Sequence, residues 1–307
     1  MNRSAPIDFS PKVVTRWPES SSRRGLTILE LVIVLAGVTL LSAIALPALA
    51  RAREAARRVQ CTSNLRQIGL ALINYHDTHR MLPPGWFESG TVSSGWGWAA
   101  WILPELGQQR LSEQVRYDLP LGAEENRTLR TESLSVLRCP TDHVPVTFSL
   151  ERERHSESEY QASAAEVDSV SEPLFDLAGA SYVGVFGTED PDTTEGTTGT
   201  GMFLADRSIR FSEVRDGLSQ TLLVGERTAR QLPATWVGVP PEGEEGPGRV
   251  TGFVDLPPNH PRADECEFSS RHPHGTQFIA ADGHHLFISD AIDRNVFREL
   301  ATRSEKP

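Results

Sequence analysis

From Leu31 to Ala50 the chain is apolar on every helical face and carries no charged residue. A helix needs about 20 apolar residues to cross a bilayer core, so this run predicts a membrane-crossing helix. Polar and basic residues precede it, ending at Arg23-Arg24, and Glu30 stands at its entrance. Past Ala50 the pattern changes. Arg51-Ala52-Arg53-Glu54-Ala55-Ala56-Arg57-Arg58 favours helix, and Leu65, Ile68, Leu72 and Tyr75 then recur at helical spacing with Gly69 beside them. Such a stripe marks a helix with one face on a core. Met81-Leu82-Pro83-Pro84-Gly85 ends it. The pattern predicts one helix from Leu26 to about His79, with 26–50 in the membrane and 51–80 an amphipathic spine.

The rest reads as short strands and loops. Four Trp (Trp86, Trp96, Trp98 and Trp101) interleaved with Gly suggest sheet core rather than a carbohydrate-stacking site. Leu134 to Pro140 reads as a strand ending in Cys139-Pro140, and Ala180 to Gly187 alternates like a strand. Further strands are expected at 201–205, 221–226 and 234–239. Residues 149–172, Thr188 to Gly201 and Pro240 to Gly248 read as polar loops. Near the carboxy terminus, Asp282-Gly283 separates the apolar runs Gln277–Ala281 and His284–Ile288. That predicts a hairpin with a type I′ turn, which needs positive φ at both central residues.

Charge and composition narrow the classes. The net charge is −11, and the first 25 residues are themselves basic, so the remainder is more acidic still. Phosphate binding needs clustered Lys and Arg, so nucleic acid is not an expected partner. Frequent Gly and Pro, 24 and 21, suggest a turn-rich β body. Three cysteines, Cys61, Cys139 and Cys266, are too few for a disulfide scaffold. A Cys61–Cys139 bridge, tying helix to sheet, is a candidate if the body lies in an oxidising compartment.

The amino-terminal segment admits three readings. A secretory signal peptide fits poorly, because the apolar run is too long and Glu30 sits at its start. A plain signal anchor fits the basic residues ahead of the run. The third rests on Arg23-Arg24-Gly25, hydrophobic Leu26, Thr27, two aliphatics and Glu30, which resemble the cleavage and methylation motif of type IV prepilins. That resemblance implies cutting between Gly25 and Leu26 by prepilin peptidase, with methylation of the new amino terminus. Leu26 departs from the usual Phe. Glu30 falls where the family keeps its acid, which the resemblance pairs with the amine of a neighbouring subunit, and Pro47 where type IV pilins carry a helix-kinking Pro. An unpaired carboxylate near a membrane is costly, so this pairing gives Glu30 a reason to be kept; snorkelling to the headgroups is the rival.

A wider resemblance covers about residues 24–303. Cys61, Asn64-Leu65, Gln67 to Leu72, Asn74-Tyr75-His76-Asp77, Leu82 to Gly85, Cys139-Pro140, Asp216-Gly217, Val224-Gly225-Glu226 and the block from His272 to Asp290 together look like the DUF1559 family of prepilin-like proteins. The last block, with His272, Asp282 and Gly283, resembles its H-X9-DG domain. Pro273-His274-Gly275 departs from the family's Pro-Gly-Gly and puts that turn's geometry in question.

The expected fold is therefore α+β and type IV pilin-like: a long amino-terminal transmembrane helix packed on an antiparallel β-sheet with a loop-rich, enlarged head. The expected parts are a leader at 1–25, the helix at 26–80 and a head at 81–307 that includes the hairpin region 265–303. The expected role is a pilin or type II secretion pseudopilin subunit. It would be processed, held in the inner membrane by a single pass with its head in the periplasm, and assembled into a filament. The implied partners are prepilin peptidase, other pilin-like subunits with their pilus or secretion assembly machinery, and membrane lipid. Alternatives are a membrane-anchored periplasmic binding module and a metal-dependent enzyme at the carboxy-terminal hairpin. No catalytic motif is recognisable, and neither cofactor nor metal is expected. His272, His274, Asp282, His284 and His285 are donors that suit zinc, but structural roles are the expectation: His272 bonding the hairpin or a neighbouring loop, Asp282-Gly283 making the turn. Asp190-Pro191-Asp192-Thr193-Thr194-Glu195-Gly196 invites a calcium reading but misplaces the EF-hand glycine, so a solvated acidic loop is expected.

Overall fold

The computed structural model describes residues 27–87, 95–152, 173–230 and 232–304. The leader, Gly25, Leu26 and most of the loop expected at 149–172 lie outside the described residues. Contacts divide the chain at Arg51 into an amino-terminal unit and a head that begins at Ala52.

Helix α1 runs from Ile28 to His79 without interruption, with Pro47 inside it. Its start is set locally: Thr27 Oγ1 accepts from the Glu30 backbone N–H at 3.3 Å, and Glu30 Oε2 accepts from the Thr27 N–H at 2.9 Å. These reciprocal bonds make a capping box, a use of Thr27 and Glu30 beyond those expected from the sequence. At the other end Arg80 turns left-handed, φ 62, and its N–H reaches the His76 carbonyl at 2.6 Å, before Pro83-Pro84 prevent continuation. In the amino-terminal unit an 18-residue window of α1 has mean hydropathy 2.5 and no buried residue, so this helix is long and apolar enough to cross a membrane. In the head, Cys61, Asn64, Leu65, Ile68, Gly69, Ala71 and Leu72 are buried along one face.

The head holds two sheets. Strands β1 (Thr147–Glu151), β2 (Pro173–Ala180) and β5 (Ala234–Thr235) form an antiparallel three-stranded sheet, ordered β1-β2-β5. Strands β3 (Tyr182–Gly187), β4 (Leu222–Glu226), β6 (Thr251–Phe253), β7 (Gly275–Ala280) and β8 (His285–Ser289) form the second, ordered β6-β3-β4-β7-β8. Its pairings are antiparallel except β3 with β6, which is parallel. Single helical turns lie at Trp98–Trp101 (α2), Gln109–Ser112 (α3) and Arg127–Arg130 (α4), and a final helix α5 spans Arg294–Leu300.

Both faces of the five-stranded sheet are covered. On one face Ile279 of β7 meets α1, where a Cβ on Gly69 would lie 2.7 Å from Ile279 Cγ1; only glycine permits so close a backbone approach. On the other face Phe278 packs against Phe268 and against Phe297 of α5, at centroid distances of 5.0 and 5.7 Å. Alternation along β7 thus feeds two cores, the larger one shared with the α1 stripe and the tryptophans.

Several expected strands take other forms. Leu134 to Pro140 contains a 3-10 turn at Ser135–Leu137, whose neighbouring carbonyls, Ser135 and Arg138, accept from Asn64 Nδ2 at 3.4 and 3.1 Å. Residues 201–205 make only isolated bridges, because Met202 and Phe203 both donate to the Val185 carbonyl and curl the chain. The strand at 234–239 stops at Thr235, and Gly238, φ 132, turns the chain tightly past Gly95. Residues 147–151 are strand β1 instead of loop from 149. Trp86, Trp96 and Trp98 are buried core, as expected, but they sit in bridges and a helical turn; Phe186, Tyr117 and Phe203 pack against their rings.

Candidate functional site

The hairpin forms where Asp282-Gly283 stands, with a different turn. Gly283 N–H bonds the Ala280 carbonyl at 2.9 Å, and Ala280 N–H bonds the His284 carbonyl at 2.9 Å. Only Gly283, φ 87, is left-handed in the loop. This is a three-residue connection, a type I turn closed by a glycine bulge, so the type I′ expectation is corrected: one positive φ suffices. Asp282 Oδ1 accepts from the His284 backbone and ring at 3.1 and 2.6 Å. His285 points to Gln277 Oε1, 3.1 Å away. His274 is left-handed, φ 71, where the family's glycine would stand.

His272 does not bond the hairpin. Its Nδ1 lies 2.7 Å from Glu54 Oε1 on α1, and its Nε2 lies 3.5 Å from Cys139 Sγ and 3.7 Å from Glu226 Oε1. Cys61 completes the group: one ligand-type atom each from Cys61, Cys139, Glu226 and His272 lies within 4.8 Å of all the others. Cys61 and Cys139 are both free thiols and both buried. The structure therefore brings the two candidate bridge partners together, joined by a histidine and a glutamate. The donor set considered around the hairpin, His274, Asp282, His284 and His285, does not gather about His272.

Each member is placed by local structure. Cys61 shares the buried α1 face with Leu65, Ile68 and Leu72. Cys139 follows the 3-10 turn that Asn64 pins to the helix. Glu226 ends β4, every residue of which is buried, directly opposite Tyr182 of β3. His272 precedes β7, its backbone N–H bonded to Ser270 Oγ at 3.0 Å.

The electrostatics are those of a dry pocket. Burial, then the neighbouring Cys139, push the Glu226 carboxyl well above the usual carboxylate range. Neither Glu226 oxygen has a hydrogen-bond partner of normal geometry among the described residues. Hydrogen bonding to Cys61 and burial push the Cys139 thiol up to about 12. Burial opposes charge on His272, but its contact with Cys139, the charge of Glu226 and the bond to Glu54 outweigh this and push it up to about 9. Burial likewise opposes charge on Glu54, while His272 and Arg57 hold it below its ordinary value. His272 thus pairs most closely with Glu54, while Glu226, 3.7 Å from the same imidazole, is held toward its protonated form by burial, which outweighs the attraction of His272.

The acidic loop gathers differently from the calcium reading. Asp190 and Asp192 meet Cys266. Asp192 is satisfied by the Gly248 N–H at 3.1 Å and the Cys266 thiol at 3.3 Å. Glu195 instead caps its own turn, accepting from Thr197 at 3.0 Å. Sequence reasoning missed the role of Glu226; an acid closing the apolar run Leu222-Leu223-Val224 was the available signal.

An α+β head and an apolar helix of membrane-crossing length fit a pilin-like fold. The chain belongs to the DUF1559 family, described as proteins of unknown function, whose family model matches residues 50–295. No curated protein and no solved structure matches it.

Proposed function

We propose that the chain is a pilin or pseudopilin-like structural subunit, cut by prepilin peptidase between Gly25 and Leu26 and assembled with other pilin-like subunits through its amino-terminal helix. The observation that carries this reading is α1 itself: a single helix, exposed and apolar from Leu31 to Leu49, continues into a buried stripe within the head. A pilin-like subunit needs both, one stretch for lipid or neighbouring helices and one for its own domain. On this reading the head lies in the periplasm, the anchor in the inner membrane, and the role is structural rather than catalytic.

Glu30 has two uses. Within the chain it caps the helix through Thr27. In a filament its carboxylate would meet the amine of a neighbour, as the family resemblance implies. Mass spectrometry of the native amino terminus tests the processing step: a methylated Leu26 is expected, with precursor accumulating in a Gly25→Leu variant. A chain that begins at Met1, or one cut elsewhere, sinks the assignment. Crosslinking through α1 should yield oligomers that Glu30→Ala diminishes while membrane insertion persists.

A further inference from the structure

We infer that Cys61, Cys139, Glu226 and His272 are the four ligands of a structural metal site, built for zinc or a similar divalent transition metal, that straps the inner face of α1 to the five-stranded sheet. Two thiolates, an imidazole and a carboxylate form a donor set that zinc takes in tetrahedral sites. Zinc bond lengths place tetrahedral S, N and O ligands about 3.4–3.8 Å from one another. Two separations fall in that range, 3.5 Å from Cys139 Sγ to His272 Nε2 and 3.7 Å from His272 Nε2 to Glu226 Oε1, and all four ligand atoms lie within 4.8 Å of one another.

Two independent observations point the same way. Glu226 is 1% exposed, and neither of its oxygens has a partner of normal geometry among the described residues. A buried carboxylate without a partner costs several kcal/mol or forces uptake of a proton; a bound cation removes that cost. The histidine is also oriented for metal. Glu54 takes Nδ1 at 2.7 Å, and is itself held by Arg57 Nη2 at 2.6 Å. Nε2 is left facing the two sulfurs and Glu226. A carboxylate bonded to the far nitrogen commonly accompanies a zinc-bound histidine, fixing its tautomer and raising its basicity. Tyr182, buried opposite Glu226 on β3, has a hydroxyl without a partner of normal geometry that interacts with Cys61 and Cys139, and it would donate to the thiolates once they form.

Four protein ligands leave no open position, and all four are buried, so the site is structural rather than hydrolytic. Binding displaces the thiol protons of Cys61 and Cys139, the Glu226 proton and the Nε2 proton of the His272 imidazolium, all of which leave to solvent, while the Nδ1 proton stays on the bond to Glu54. Because the ligands come from α1, the segment after the 3-10 turn, β4 and the approach to β7, the metal would join segments that lie far apart in sequence, such as Cys139 and His272, 133 residues from each other.

The test uses the full chain, extracted in mild detergent without chelator, with thiols trapped by alkylation in intact cells. Elemental analysis should find about one zinc per chain, as a closed four-ligand site holds a single ion. Cobalt exchanged into the site should give a thiolate-to-cobalt charge-transfer band that weakens in Cys139→Ser. Cysteine variants endanger folding, so Glu54→Gln, altered at the partly exposed outer carboxylate, supplies the second measurement: a folded chain that loses metal to a competing chelator about 10–100-fold more readily. Glu226→Gln should show the larger loss of the two. A folded chain with no stoichiometric metal and no charge-transfer band with cobalt would overturn the site. So would a Cys61–Cys139 disulfide in the trapped native protein.

Discussion

Residues 28–49 and 61–72 belong to one helix, yet they treat apolar side chains oppositely. Ile28, Leu40 and Ile44 are 83%, 65% and 69% exposed, whereas Leu65, Ile68 and Leu72 are 0% exposed. The contrast lies in patterning rather than in helix propensity. In the first stretch apolar residues occupy every face, so no single packed surface could cover them, and the helix needs an apolar solvent or other helices around it. In the second they fall on one stripe, and Leu70, off that stripe, stays exposed, as does Val59 just before the stretch. The chain's own sheet completes the second stretch. The first is completed only from outside.

Substitutions on the two sides should break this symmetry in order of size. Leu65→Ala should lower head stability by about 2–5 kcal/mol in denaturant titrations, through lost burial and a cavity. Leu40→Ala should leave the same transition within about 0.5 kcal/mol, and equal losses would erase the distinction. Leu41→Arg should act only on the anchor. An insertion penalty of about 2.5–3.5 kcal/mol at a helix centre should shift the chain from the membrane to the soluble fraction in flotation, with the head's unfolding transition unmoved. Asn64→Ala should cost the head about 1–3 kcal/mol, because the carbonyls of Ser135 and Arg138 lose their donor.

The smallest expected effect sharpens the contrast through pH. Burial, with Asp192 and Glu265 nearby, pushes Glu245 in the head up to about 7 from its ordinary 4.5. A carboxyl that holds its proton more tightly when folded stabilises at low pH, and that contribution is lost as pH rises from about 4.5 through about 7. Glu245→Gln should therefore flatten the fall of head stability across that window. The anchor has no ionisable side chain between Leu31 and Ala50, so its membrane partitioning should show no matching slope. An unchanged slope in the variant would remove Glu245 from the account.

How much was readable depended on range in sequence. The 3.6-residue stripe at Leu65, Ile68 and Leu72 and the Asp282-Gly283 hairpin are local signals, and both elements form. The turn type was misjudged because loop length, not the dipeptide alone, decides how many left-handed residues are needed. Leu134 to Pro140 has the composition of a strand, but Asn64, distant in sequence, captures its carbonyls and bends it. Cys61, Cys139, Glu226 and His272 were each visible inside a short motif. Their convergence was not, since nothing local says that Glu226 ends its strand against His272. Pairing Cys61 with Cys139 found half of that cluster, and the rest required the sheet.

The capping of α1 by Thr27 and Glu30 bears on the order of events at the membrane. The residues that wind the first turn lie downstream of the proposed cut, so removal of the leader leaves the start of the helix as it was. The helix from Ile28 onward would then keep the same cap in precursor and product, and trimming would alter the charge and bulk ahead of Leu26. Cleavage would release an end rather than reshape one.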